Sequence, residues 1–177
     1  MCASLDEEWS ARAGRTVVIG VGNRLMGDEG IGVRVVEELK RRSLPDDVDV
    51  VDAGTIGLDL LFVLEGYARA VIVDAAEMGL PAGEVRVLGP ADLAEAGPVS
   101  DAHGMGVAQV LELAEAMGLC PANVVLVGVQ PDRVGPALDL SKPVEAALAG
   151  AVRCVEALVR TPGDGAARVP RSGPWHE

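Results

Sequence analysis

Asp28 and Glu29 stand side by side in a glycine-bracketed turn, Gly27-Asp-Glu-Gly30, just after the apolar run Val17-Val-Ile-Gly-Val-Gly22. An acid so placed can cap the next helix and meet the positive end of its dipole. That accounts for one carboxylate more readily than for two. A phosphate loop is disfavoured, because Gly20-Val-Gly22 opens a G-x-G-x-x-G pattern whose third glycine is replaced by Leu25. Two acids would also repel an anion where a helix N-terminus normally holds one. A cation is the better match.

Two further residues occupy comparable places. Asp74 ends the apolar run Ala70-Val-Ile-Val, and His103 lies in the loop Ser100-Asp-Ala-His-Gly-Met-Gly106. Glu29, Asp74 and His103 together form a mixed nitrogen and oxygen donor set. Such a set suits a borderline divalent metal such as nickel or zinc and leaves positions open for water or substrate. Each residue also has a plainer reading: Glu29 as a cap, Asp74 as a partner of nearby backbone N–H groups, His103 as a solvated loop histidine. The chain's other histidine is His176, near the terminus. Other chemistries match less well. The sequence contains no H-E-x-x-H and no G-x-S-x-G elbow. Ser100, Asp101 and His103 are adjacent, but adjacency is not triad geometry. Cys120, at a helix end, and Cys154, inside an apolar helix, read as buried, inert thiols.

The elements that must carry these residues alternate. Strands are expected at Thr16–Gly22, Val48–Asp52, Ala70–Asp74, Glu84–Leu88 and Asn123–Gln130. Glu84–Leu88 alternates polar with apolar residues and reads as an edge strand. Helices are expected from Gly30 to about Arg42, from Leu58 to Glu65, from about Val107 to Gly118, and from Ser141 onward, with Ser141 as its cap and Pro143 in its first turn. Residues 1–14 read as a flexible leader, 15–160 as one domain, and 161–177 as a disordered tail. The pattern predicts a three-layer α/β/α sandwich on a mostly parallel, five-stranded sheet. Ligands collect beyond the C-terminal strand ends of such sheets, where Glu29, Asp74 and His103 fall.

Composition narrows the setting. The chain has 177 residues, 49% of them apolar but only 2% aromatic, so its core must be Val, Leu, Ile and Ala. A net charge of −12 argues against nucleic acid and anionic membrane as partners. Three scattered cysteines, an acidic N-terminus and no long apolar run point to a reducing, cytoplasmic setting.

The stretch Gly20-Val-Gly-Asn-Arg-Leu-Met-Gly-Asp-Glu-Gly-Ile-Gly32 resembles the opening signature of the hydrogenase maturation endopeptidases. Asp52-Ala-Gly-Thr55, Asp74, His103 before a helix, and Val127-Gly-Val-Gln-Pro131 follow in that family's order, over roughly Thr16 to Leu158. The resemblance implies a flavodoxin-like or phosphorylase-like fold. It implies removal of a C-terminal extension from a nickel–iron hydrogenase large-subunit precursor, with Glu29, Asp74 and His103 contacting nickel that the precursor already carries. It further implies a role in substrate discrimination for Asp52. Asp28, as a support of Glu29, and Asn23 join it as recognition candidates. The metal can be catalytic or a recognition mark on this reading, and the chain is expected to act as a monomer. The alternatives are a metal-dependent maturation chaperone that does not cut, and a flavodoxin-like ligand-binding regulator.

Overall fold

The computed structural model describes residues 12–55, 57–89, 92 and 106–161. Its five strands are β1 (Thr16–Val21), β2 (Val48–Gly54), β3 (Arg69–Ala75), β4 (Val85–Leu88) and β5 (Asn123–Val129). They form one sheet in the order β2-β1-β3-β5-β4. All neighbours run parallel except β4, which lies antiparallel on β5 as an edge strand. The helices are α1 (Ile31–Leu39), α2 (Leu60–Leu64), α3 (Val107–Met117) and α4 (Lys142–Arg160), and a 3-10 turn (Asp28–Gly30) leads into α1.

The β-branched strands form elements because both of their faces can be covered. Val18, Val71, Val73, Val127 and Val129 face α1 and α4, with Val35, Val36, Val152 and Val155 packed against them. Their neighbours Val17, Ile19, Ala70, Ile72 and Leu126 face the other way, toward Leu60, Leu64, Val110 and Ala114 of α2 and α3. The alternation along each strand divides the core into two layers, giving the three-layer sandwich expected from the sequence.

Two details differ from that expectation. α1 ends at Leu39, and the exposed Lys40, Arg41 and Arg42 continue as a tighter turn, with the Arg42 N–H donating to the Leu39 carbonyl. The next turn, Lys40-Arg-Arg-Ser43, carries no apolar side chain to bury. Ser141 precedes α4 but its side chain makes no cap bond. Its N–H donates to Asp28 instead, at 2.6 Å. At the start of the described chain, Arg12, in the stretch read as a leader, donates to the carbonyls of Phe62 and Glu65 and lies over the Tyr67 ring.

The connection from β1 goes to β2 on one side, and the chain then returns to β3 on the other. A sheet that reverses its strand order in this way opens a crevice between the two strands that flank the reversal, here β1 and β3. α1 is drawn tightly against that crevice. A Cβ on Gly32 would lie 2.1 Å from the Val73 carbonyl oxygen and 2.3 Å from that of Val21. No helix among the described residues is long and apolar enough to cross a membrane.

Candidate active site

Glu29 reaches the crevice through a close approach of backbone to backbone. Gly22 has φ +133, and a Cβ there would meet the Glu29 carbonyl oxygen at 1.8 Å. Glycine lets the turn fold back onto the end of β1. Gly27, with φ +64, then starts the 3-10 turn in which Asp28 and Glu29 are both buried. Asp74 comes in at the end of β3, one residue past its last pairing with β1 and opposite Gly128 of β5.

Glu29 and Asp74 are close enough for the charge of one to act on the carboxyl of the other. Burial pushes the Asp74 carboxyl well above the usual carboxylate range. An N–H bond from Ala75 opposes the shift, and the Glu29 charge adds to it. A buried carboxyl and a neighbouring carboxylate are relieved by a proton or by a cation. Their oxygen donors therefore fit a divalent metal ion. His103, the third residue expected here, lies outside the described residues. Among the described residues, no three His, Cys, Asp or Glu side chains converge as a metal-ligand set.

Asp28 points away from this pair. It is fully buried, and its Oδ2 accepts from the N–H groups of Asp132 (3.0 Å) and Arg133 (2.9 Å). Its Oδ1 accepts from Ser141 N–H. Burial alone would raise its pKa, but the donors of Arg133, Ser141 and Asp132 outweigh that and hold the carboxyl below its ordinary value. Neither Asp28 nor Glu29 caps α1. Asp28 instead anchors a strap, residues 131–141, that the sequence shows only as a loop. Gly27 N–H donates to Ala137 O, Ala137 N–H to Leu25 O, and Gly135 N–H to Met26 O. Leu25 and Leu138, on the two paired segments, are more than 60% exposed and form an apolar rim.

The recognition candidates lie at the same end of the sheet. The Asn23 side chain accepts from Leu25 N–H and stiffens the turn. Asp52 accepts from Gly54 N–H at 3.1 Å and pairs with Arg24 at 2.9 Å. Arg24 also pairs with Glu37, so it bridges β2 and α1. Sequence reasoning did not single out Arg24, whose two acidic partners are 13 and 28 positions away.

Gln130 is the other residue whose role emerges only in three dimensions. Its buried side chain accepts from Met78 and Leu80 N–H and donates to Glu77, which sets the chain just beyond Asp74. Gln130→Ala leaves two N–H groups without an acceptor, and is expected to lower the unfolding free energy by about 2 kcal/mol in urea denaturation.

Comparison with known proteins adds an independent line. The family model described as hydrogenase maturation protease (HycI) matches residues 33–158, a span that includes Asp52, Asp74 and His103. The chain is 36% identical over 154 residues to the hydrogenase 2 maturation protease of Escherichia coli K12, covering 84% of this chain and 93% of that protein. It is 34% identical over 150 residues to the hydrogenase expression/formation protein HupD of Bradyrhizobium diazoefficiens, covering 75% of this chain and 78% of that one. Among solved structures, the hydrogenase maturating endopeptidase HybD from E. coli superimposes with a TM-score of 0.73 at 37% identity, over 82% of this chain and 92% of that chain.

Proposed function

The chain belongs to the hydrogenase maturation protease family, which processes the C-terminus of the hydrogenase large subunit, and on that premise we propose how its residues act. Its substrate is the nickel-loaded large-subunit precursor of a nickel–iron hydrogenase, and its product is the precursor without its C-terminal extension. The observation that carries the site assignment is the meeting of Glu29 and Asp74 at the crevice between β1 and β3, with Asp74 pushed toward protonation by burial and by its neighbour.

Nickel belongs to the substrate on this reading. Glu29 and Asp74 supply two oxygen donors to it and His103 supplies a nitrogen. A divalent ion so held polarises a carbonyl or makes its bound water more acidic. Of the two acids, whichever is ionised can accept a proton from the attacking water. Asp52, with Asn23 and Arg24 beside it, contributes to choosing the precursor.

The test is the intact mass of a nickel-loaded precursor from the same organism, incubated with the purified chain. The expected result is loss of one defined C-terminal peptide. Tight binding with no change in mass of a verified cognate precursor would overturn the protease reading in favour of a chaperone.

A further inference from the structure

Three backbone N–H groups converge on one buried carboxylate immediately beside the residue that the proposed chemistry depends on. We propose that Asp28 is a positioning residue for cleavage: it bolts the 131–141 strap across the 3-10 turn and thereby fixes Glu29 against Asp74. The inference rests on the protease reading only for its activity arm.

The strap is held at both of its ends by the same side chain, through Asp132 and Arg133 on one side and Ser141 on the other. Between them, backbone bonds lace the strap to residues 25–27. The Asp28 N–H also donates to the Arg133 carbonyl, so main chain and side chain grip the same point. Asp28 and Glu29 are consecutive in a single 3-10 turn. A rotation that releases Asp28 therefore moves Glu29. On its other side the Glu29 carbonyl rests against Gly22 of the β1 connection. Glu29 is thus gripped from β1 and from the strap at once.

Loop closure alone does not explain the choice of residue. A charge removed from water is costly unless several donors meet it. Charge-assisted N–H bonds are shorter and stiffer than neutral ones. What the carboxylate gains over a neutral side chain is rigidity on both oxygens, which a positioned catalytic group needs.

Two substitutions separate this role from general stability. In Asp28→Asn the side-chain oxygen can still accept from Asp132 and Arg133, but the amide then meets the Ser141 N–H donor to donor. Ser141→Pro keeps the Asp28 charge but removes that N–H and sets the ring Cδ against the carboxylate, so it breaks the same anchor by crowding, and the Ser141 φ of −63 suits proline. For each folded variant, kcat for the nickel-loaded precursor is expected to fall about 100-fold, with KM within about threefold of wild type. The double variant is expected to be no slower than Asp28→Asn alone, because both changes break one linkage. In the free protein, amide hydrogen exchange at residues 27–32 is expected to quicken in every variant.

Unchanged kcat, a loss carried by KM, or unaltered exchange at residues 27–32 would each overturn the proposal. If Asp28→Asn does not fold, Ser141→Pro alone decides. If the wild-type chain does not cleave the precursor, the protease reading falls, while exchange at residues 27–32 still decides whether the strap fixes the Glu29 turn.

Discussion

Glu29→Gln is expected to lower kcat/KM for the nickel-loaded precursor by about 1000-fold or more, with the far-UV circular dichroism of the fold retained. The exchange keeps the shape of the side chain and removes its charge, so the loss reads on electrostatics rather than on packing. Asp74→Asn should do the same from the opposite side of the crevice. The two are not independent, because the Glu29 charge is one of the causes that raise the Asp74 pKa. In Glu29→Gln the Asp74 carboxyl should therefore titrate lower than in the wild type, though burial still holds it up. Groups that act as a unit lose activity non-additively, so the double variant should be little worse than either single one. The measurement is precursor cleavage followed by intact mass under single-turnover conditions. Cleavage that survives both substitutions would leave the family role standing and would remove the site assigned within it.

Gly32→Ala is expected to cost about 3 kcal/mol or more in urea denaturation, toward the high end for overpacking. The added methyl would lie 2.1 Å from one backbone oxygen and 2.3 Å from another, on β3 and on the end of β1. A flexible side chain could swing aside, but a strand carbonyl cannot move without breaking its sheet pairing. The whole N-terminus of α1 would have to lift, taking the Glu29 turn with it, so activity should fall with stability. Gly54→Ala is the matched control. Gly54 has φ +55 with nothing within 4 Å of an added Cβ, so only backbone strain of about 1 kcal/mol is expected there. Equal costs at the two positions would mean that α1 is not seated as closely as described.

How much of this was legible in the sequence follows from the range over which each interaction acts. Val17 to Val21 and Ala70 to Val73 announce themselves as strands by composition. The edge character of Val85–Leu88 shows in its alternation, with Arg86 turned to solvent. Glu29 and Asp74 could be placed together because strand ends on one side of a parallel sheet must be neighbours. His103 could be placed in a loop and grouped with the two acids as a nitrogen donor, and it lies outside the described residues. Asp28 was read with the recognition residues, and its partners at 132, 133 and 141 lie more than a hundred positions away, beyond any periodicity. Ser141 shows the same limit from the other end. As a serine before a proline-bearing helix it has the sequence of a cap, yet a distant carboxylate engages it. Gln130 could be quoted as part of a motif, but its grip on Met78 and Leu80 depends on β3 and β5 being paired.

The aliphatic character of the core has an optical consequence. Among the described residues no aromatic ring is buried in either layer. Tyr67 packs only at the margin of one of them, and Phe62 is mostly exposed. The chain's two tryptophans, Trp9 and Trp175, belong to its terminal segments, outside the described residues. The described fold therefore holds no tryptophan whose emission would report on the sheet. Within the described fold the near-ultraviolet signature falls chiefly to Tyr67, whose ring lies 5.2 Å from the Arg12 guanidinium. That makes it a reporter of the contact between the N-terminal segment and α2, and leaves the peptide backbone itself as the chromophore by which the rest of the molecule must be watched.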